Sequence, residues 1–451
     1  MLTQQENELL CLVEGDAPMG QIMRRHWLPA CLSEEVAEPD GDPIRVRLLG
    51  EDLVAFRDTD GRVGVLDEMC PHRRASLVLG RNEECGLRCL YHGWKMDVEG
   101  NVLEMASEPA ESKMVEKVKH KAYPTHEEAG FVWVYMGPAD EQPEFTAPVF
   151  QPTPETKVSI SKVIVDCNWA QILEGAIDSA HSSSLHSTDM VPARIGGAEA
   201  NDKLWLRPST DKAPRLQLQK TRFGFRYAAL RRPITDAKTH DYVRTMLFIA
   251  PYTVQIPPNN LYDIAILHVP IDDTHTAFHF ITWGDEATTP DTESWRKFLG
   301  TQIGIDLDAR FRKFRSRENN YWQDRRIMQL GTATPGSGAS PTRTSPCGRP
   351  WAPSPTAPTT GWAPATWPSS SSAARWFRPP RPCSRVVRRS APASRAFHIT
   401  SSNLSRALCP RRPTGGSWVP LLRKPNSTKP SRTSSPSDRS ASDRLNKTIN
   451  E

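Results

Sequence analysis

The alternation of apolar and polar residues predicts short β-strands in the first part of the chain. Residues 53–56 and 64–66 are apolar runs joined by turn residues at 58–61, and residues 131–135 form another strong apolar run. An amphipathic start precedes these runs and carries the apolar residues Leu9, Leu10, Leu12 and Val13. The pattern therefore indicates a small, strand-rich region after a helical start.

Farther along, the pattern changes to longer strands followed by a helix. Residues 262–270 and 275–283 pair as a hairpin through the turn Asp272-Asp273-Thr274. A long helix is predicted over 293–315, where Leu299, Ile303, Leu307 and Phe311 are spaced by four. Antiparallel strands followed by a helix are typical of an α+β domain. The predicted strands are 203–207, 223–228, 243–249, 263–269 and 277–283.

Composition divides the chain into four segments. Residues 1–136 are strand-rich, residues 137–154 carry five prolines and are interpreted as a linker, and residues 155–330 form the α+β part. Residues 331–451 hold 19 of the 40 prolines and no useful amphipathic period, which is typical of a disordered tail.

Charge separates the tail from the rest of the protein. Residues 331–451 hold 19 Lys+Arg and 3 Asp+Glu, a net charge of +16, so residues 1–330 carry 38 basic and 49 acidic residues, a net charge of −11. An acidic body disfavours nucleic acid as a partner. There is no run of eighteen apolar residues, so no membrane span is expected. The polar start and nine scattered cysteines favour a reduced, cytoplasmic protein.

Two cysteine–histidine pairs carry the most specific chemistry of the chain. Cys70 and His72 form a Cys-x-His pair, and Cys89 and His92 form a Cys-x2-His pair shortly afterwards. Two thiolates for one iron and two imidazoles for the other are the ligands of a Rieske 2Fe–2S cluster, which passes single electrons. Zinc is the alternative, but it usually binds through CxxC or HxxxH pairs and fits this spacing poorly.

A second group of metal-ligating residues follows at 168–186. Glu174, Asp178 and His181 fall at helical spacing, so one helix face can present all three. His186 lies five residues after His181, and both imidazoles reach one metal only if the helix ends or distorts in the serine run at 182–184. Two histidines and a carboxylate form the facial triad of non-haem Fe(II) oxygenases. By itself a His-x4-His pair is equally compatible with a structural role.

The two motifs together resemble those of the oxygenase component of Rieske non-haem iron aromatic ring-hydroxylating dioxygenases. The branch is that of phthalate 4,5-dioxygenase, 3-chlorobenzoate 3,4-dioxygenase and phenoxybenzoate dioxygenase, and the resemblance covers roughly residues 1–330. It implies an all-β Rieske domain at 1–136 and a helix-grip-like catalytic domain at 155–330. It also implies one 2Fe–2S cluster and one mononuclear Fe(II) per subunit.

The resemblance further assigns roles to the metal-site residues. His181 and His186 would bind the mononuclear iron, and Asp178 would bridge His181 to a cluster histidine, His92, of a neighbouring subunit. The family works as a homo-oligomeric ring, trimeric or a multiple of that, because the two centres within one chain are too far apart for electron transfer. A separate flavin and iron–sulfur reductase would deliver electrons from NAD(P)H.

Substrates of this branch are aromatic carboxylates, which need a cation near the iron. Arg207, Arg244 and Ser179 match positions that the branch uses for the substrate. Guanidinium binds carboxylate through two hydrogen bonds and keeps its charge when buried. The alternative is that either arginine is a surface charge. Four other arginines are less favoured because their strands look more exposed, namely Arg222, Arg226, Arg231 and Arg232.

The chain departs from the family at the third iron ligand, an Asp in a segment resembling Gly-Ile-Pro-Asn-Gln-Asp-Ile-Ala-Met. Residues 338–347 stand at that place without a carboxylate. Allowed codons for residues 339–351 nevertheless encode Ile-Pro-Asn-Gln-Asp-Ile-Ala-Met-Trp-Glu-Thr-Met in another frame, with the Asp spanning Arg343 and Thr344. The hypothesis is that the chain from about 331 onward is translated out of frame. Asp324, the nearest downstream carboxylate, is interpreted as structural.

Three rival functions remain open from the sequence. A monooxygenase or O-demethylase of the same architecture would share every motif. A pure electron carrier would need only the first region, so the length of the chain and the His181/His186 pair argue against it. An inactive product of a frameshifted gene is the third.

Overall fold

The computed structural model describes residues 2–109, 111–186, 207–256 and 261–326, together with the backbone of Ala407–Pro410. No helix among these residues is long and apolar enough to cross a membrane. The α-helices are α1 Gln4–Cys11, α2 Pro18–Arg24, α3 Trp169–Ile177 and α4 Thr292–Leu299.

Three small antiparallel sheets make up the region before residue 137, with strand orders β1-β11-β10, β2-β3-β4-β9 and β5-β6-β7-β8. The predicted runs at 53–56, 64–66 and 131–135 fall on β3, β4 and β11, so these predictions are confirmed. The strands are β1 Leu28–Leu32, β2 Ile44–Leu48, β3 Glu51–Arg57, β4 Val63–Asp67, β5 Arg81–Glu83, β6 Gly86–Arg88, β7 Trp94–Met96, β8 Val102–Met105, β9 Ala122–Tyr123, β10 Thr125–Glu128 and β11 Phe131–Val134.

One large antiparallel sheet forms the second half, in the order β12-β18-β17-β16-β15-β14-β13, with β19 beside β15. The predicted hairpin is confirmed, since β17 and β18 pair from Asp263 with Trp283 to Pro270 with Thr276. The predicted strand at 203–207 lies outside the described residues except for Arg207. The strands are β12 Thr156–Val165, β13 Arg215–Thr221, β14 Gly224–Arg231, β15 His240–Ile249, β16 Thr253–Ile256, β17 Asp263–Pro270, β18 Thr276–Asp285 and β19 Ala407–Pro410.

The long helix predicted at 293–315 is wrong, because α4 ends at Leu299. Gly300 adopts the left-handed conformation, with φ 62° and ψ 50°, and its N–H bonds back to the last turn. Such a glycine is a common C-terminal stop of helices. Trp295 and Leu299 are buried, whereas Ile303 at the next predicted position is exposed. The apolar residues after Leu299 therefore keep a spacing of four although the chain is no longer helical there.

The N-terminal segment packs against α3 although it precedes the small sheets in the chain. The carbonyl of Cys11 accepts hydrogen bonds from Asn168 Nδ2 and Trp169 Nε1, each at 3.0 Å. Asp273 Oδ1 accepts from the N–H of Val13 at 2.7 Å, and Glu14 Oε1 accepts from the N–H of Asp273 at 3.1 Å. These bonds join the first turn of α3 and the β17–β18 turn to the start of the chain. The domain boundaries given above stay a prediction.

The predicted α+β architecture is confirmed: an all-β first part and a sheet with few helices in the second. Two buried groups of side chains support it. The smaller lies between the second and third small sheets and includes Phe56, Leu66 and Trp94. The larger combines buried residues of the large sheet with buried residues of β1, β2 and β11.

Candidate active site

Two loops of the first part carry the Cys–His pairs and are hydrogen-bonded in the same way. In each, the cysteine carbonyl accepts from the N–H four residues later, and the cysteine N–H donates to the carbonyl five residues later. The partners are Arg74 (2.9 Å) and Ala75 (2.9 Å) for Cys70, and Gly93 (3.0 Å) and Trp94 (2.8 Å) for Cys89. Arg74 and Gly93, with φ of 55° and 71°, both lie in the left-handed region that such tight turns require. The sequence therefore builds two matching ligand loops.

The four side chains of these loops face one another. Cys70 and Cys89 are buried, and burial raises the pKa of the Cys70 thiol to about 11, with Cys89 adding to the shift. The rings of His72 and His92 lie 4.5 Å apart between centroids, and His72 stacks on Trp94 at 4.6 Å. His72 Nδ1 is buried with no hydrogen-bond partner among the described residues. Two adjacent thiols, two adjacent imidazoles and an unpartnered ring nitrogen fit a 2Fe–2S cluster.

Replacing Cys89 by Ser is expected to remove the cluster, because a hydroxyl is a poor substitute for a thiolate ligand. Iron content should fall by about two per chain, and the visible absorption of the cluster should disappear. Cys85→Ser is the matched control, since Cys85 is a free cysteine on the turn between β5 and β6. Loss of the absorption in both variants, or in neither, would contradict the assignment of Cys89.

The second predicted metal site forms differently from the expectation of a single helix face. Helix α3 begins at Trp169 and ends at Ile177, and the side chain of its N-cap, Asn168, accepts from the N–H of Ala170 at 2.9 Å. Asp178 is already extended, with φ −83° and ψ 115°, and residues His181–Ser183 form a 3₁₀ turn. The prediction that Glu174, Asp178 and His181 share a helix face is therefore wrong. The helix was expected to end at the serine run, and it ends earlier.

The early end of α3 brings the two histidines together. The rings of His181 and His186 lie 5.2 Å apart between centroids. Asp178 Oδ1 accepts from the N–H of Ala180 at 2.7 Å, and Asp178 Oδ2 accepts from the N–H of His181 at 3.1 Å. Burial raises the pKa of Asp178, but these bonds and the imidazole of His181 outweigh it and lower the pKa overall. The carboxylate is thus ionised and fixed against the loop that carries His181.

The donor set of this second site fits an iron that still needs a third ligand. His181 Nδ1 is buried and lies 3.6 Å from Asp178 Oδ2, too far for a hydrogen bond. Within the described ranges, no three His, Cys, Asp or Glu side chains group closely enough for one ion. A Rieske cluster takes only two protein ligands per iron, so this result is compatible with the first site. Residues 338–347, where the sequence lacks the expected carboxylate, lie outside the described residues.

Ser179 belongs to the loop from Asp178 to Ser183, and Arg207 contacts this loop through Ser183, as their predicted roles require. Ser179 Oγ lies 2.9 Å from Tyr227 Oη and 3.3 Å from Met246 Sδ. Arg207 is 3% exposed, and its Nη1 donates to Ser183 Oγ at 2.9 Å. Burial lowers the pKa of Arg207, and Arg244 lowers it further while Tyr242 raises it. The structure thus brings Arg207, Arg244 and Ser179 into one neighbourhood, although their role in binding a substrate stays a prediction.

Arg231 is buried, which contradicts the exposed position predicted for its strand. This residue was placed among exposed arginines, yet it is 2% exposed and lies on the same face of the sheet as Arg244. Its Nη2 donates to the carbonyl of Ser179 at 2.6 Å and its Nε to the carbonyl of Asp211 at 3.2 Å. Burial lowers its pKa to about 10, and Arg244 and Arg207 add to the shift. The alternation along β14, with Tyr227 and Ala229 on the same face, was the signal that could have found it.

Comparison with known proteins identifies both halves of the chain. Residues 26–123 match the family described as the Rieske [2Fe-2S] domain, and residues 134–342 match the family described as LigXa C-terminal domain like. The phthalate 4,5-dioxygenase oxygenase subunit of Pseudomonas putida is 68% identical over 334 residues, which cover 74% of this chain and 76% of that protein.

Two more distant proteins are also similar. The 3-chlorobenzoate-3,4-dioxygenase oxygenase subunit of Comamonas testosteroni is 39% identical over 352 residues, covering 74% of this chain and 79% of that protein. The solved terminal oxygenase of carbazole 1,9a-dioxygenase from Novosphingobium sp. KA1 is 21% identical, with a TM-score of 0.45, and covers 65% of this chain and 79% of that chain.

Proposed function

The chain belongs to the Rieske non-haem iron aromatic ring-hydroxylating oxygenases, and we propose that it is the terminal oxygenase subunit that dihydroxylates an aromatic carboxylate. The observation that carries this proposal is the 68% identity to a phthalate 4,5-dioxygenase oxygenase subunit over most of both chains. The ring gains both atoms of O2, and two electrons and two protons from outside balance the reaction. A phthalate, a chlorobenzoate or a phenoxybenzoate is the substrate class that the relatives suggest.

Each predicted metal ligand has a part in this reaction. When bound, the cluster would supply single electrons and the mononuclear iron would supply a site for the chemistry of O2. Cys70, His72, Cys89 and His92 would hold the cluster, while His181 and His186 would hold the iron. Asp178 orients His181 through the loop hydrogen bonds described above. A carboxylate beside a ligand histidine fixes its ring and raises its basicity, so Asp178 is suited to link the two centres.

The arginines beside the loop from Asp178 to Ser183 supply the positive charge that a carboxylate substrate needs. Arg207 and Arg231 are buried, and among the described residues their hydrogen bonds go to hydroxyl and carbonyl oxygens rather than to carboxylates. Buried cations are usually paired with anions. A substrate carboxylate would complete the pairing and hold the ring over the loop between Asp178 and His181. Ser179, in that loop, would lie beside the substrate.

Partners follow from the family. The oxygenase subunit works with a reductase, which we propose to be a flavin and iron–sulfur protein that takes electrons from NAD(P)H. We further propose a homo-oligomeric ring, in which His92 of one subunit meets Asp178 of the next. A cytoplasmic location follows from the need for NAD(P)H. No partner nucleic acid or membrane is part of this proposal.

Turnover in ¹⁸O2 with an NAD(P)H-dependent reductase and a panel of benzoates, phthalate included, tests the function in the protein whose reading frame is restored from about residue 331, so that the expected third iron ligand is present. We expect a cis-dihydrodiol that carries two labelled oxygen atoms. A product with one labelled atom would instead indicate a monooxygenase or O-demethylase. Oxidation of the cluster without any product from the panel would leave an electron carrier and contradict the proposal.

A further inference from the structure

Tyr242 is a buried residue whose hydroxyl is unpaired within the part of the chain that the structure describes. It is 1% exposed, and its hydroxyl has no hydrogen-bond partner among the described residues. Buried hydroxyls nearly always have a partner, since leaving one unpaired costs the free energy of its lost hydration. The hydroxyls of Tyr252 and Tyr135, by contrast, donate to the carbonyls of Trp27 and Pro138. The exception at Tyr242 therefore leaves room for a bound acceptor beyond the described residues.

The strand register places Tyr242 among the cations of the active site. Tyr242 on β15 lies directly opposite Arg231 on β14, and Arg244 lies opposite Ala229. Residues two apart on a strand share a face, so Tyr242, Arg244 and Met246 face the same side as Arg231. Met246 Sδ accepts from Ser179 Oγ, so this side of the sheet is the one covered by the loop from Asp178 to Ser183.

Charge points to the kind of acceptor that is missing. Tyr242 raises the pKa of both Arg207 and Arg231, so its hydroxyl lies within electrostatic reach of two buried guanidiniums. Arg244 lies near both of them as well. Ala229, the residue opposite Arg244, carries only a methyl group. A neutral donor beside several cations on one face suits a carboxylate, which accepts from all of them.

We propose that Tyr242 is a further substrate-binding residue, whose hydroxyl donates a hydrogen bond to the substrate carboxylate that the arginines hold. This inference rests on the proposed function, since it concerns the same site. It adds a neutral donor to the predicted set of Arg207, Arg244 and Ser179. Arg231 contributes positive charge to the same face, and its guanidinium also holds the main chain of Ser179.

Equilibrium binding of phthalate, benzoate and benzamide to the full chain tests Tyr242→Phe. The variant keeps the ring and removes only the unpartnered hydroxyl. The dissociation constants for phthalate and benzoate should rise about tenfold or more, because a hydrogen bond to a charged group is lost. The constant for neutral benzamide should change much less. Tyr135→Phe, which removes a hydroxyl bonded to Pro138 outside the sheet, should bind all three ligands as the unchanged protein does.

Two readouts separate binding from a structural role. The thermal midpoint of ligand-free Tyr242→Phe should not fall, because no hydrogen bond of the fold is lost, and the cluster absorption should be unchanged. Equal weakening for all three ligands, a lower midpoint, or unchanged binding of phthalate would each overturn the role of Tyr242. Failure of the unchanged protein to bind any of the carboxylates would instead overturn the proposed function.

Discussion

Restoring the alternative reading frame from about residue 331 is expected to raise the iron content from about two to about three per chain and to create the oxygenase activity. Under the hypothesis, that frame would encode the carboxylate missing from residues 338–347, and an iron held by His181 and His186 alone has too few protein ligands to be retained. The change leaves the first 330 residues, and so the cluster ligands, untouched. Metal analysis and cluster absorption of both proteins, expressed side by side, measure the difference.

The length over which the oxygenase subunit of Pseudomonas putida matches this chain supports this expectation. Its 68% identity spans 334 residues, close in number to the 330 residues that precede the arginine-rich tail. In the frame-restored protein, replacing the recovered Asp by Ala is the control and should return the iron content to that of the cluster alone. Resequencing that finds the present frame intact, together with unchanged iron content in the frame-restored protein, would sink the hypothesis.

In the frame-restored protein, Asp178→Asn is expected to lower product formation about 100-fold while the cluster stays fully reducible. An amide cannot reproduce the two hydrogen bonds that the carboxylate oxygens accept from Ala180 and His181, and it carries no charge beside the His181 ring. Stopped-flow reduction of the cluster followed by single-turnover product analysis separates the two steps. The defect should therefore appear after cluster reduction.

Glu174→Gln is the matched control for Asp178→Asn. It removes a carboxylate from the same segment, but Glu174 lies on α3 itself, before the extended turn that carries Asp178. This variant should retain product formation. If both variants lost activity equally, or if Asp178→Asn lost its mononuclear iron, the proposed linking role of Asp178 would give way to a purely structural one.

The candidate metal ligands could be selected from the sequence because ligand chemistry restricts both residue type and spacing. Cys70, His72, Cys89 and His92 were expected in two loops, and the structure brings them together. The hydrogen-bond pattern shared by the loops was not predictable, since it depends on the left-handed conformation of Arg74, a residue type that carries no such signal.

Elsewhere, tertiary packing overrode the local pattern. The apolar period after Leu299 predicted a helix, yet Gly300 ends it and Phe311 packs from a turn instead. Arg231 looked exposed because a single charge in a strand says nothing about which face is covered. Its burial depends on the loop from Asp178 to Ser183, which is distant in sequence. Side chains that belong to a site formed by several elements are therefore the hardest to find.

The bonds from the N-terminal segment to α3 bear on how the enzyme can be recombined. Because Cys11, Val13 and Glu14 are held by Asn168, Trp169 and Asp273, the first turns of the chain belong with the iron-binding half. A chimaera that receives a foreign Rieske module should therefore keep the native segment up to Gly15 and splice after it. Exchanging the module from residue 1 would remove the Cys11 carbonyl that accepts from Asn168, the N-cap of α3. The loop that carries His181, which follows α3, would then be held less firmly.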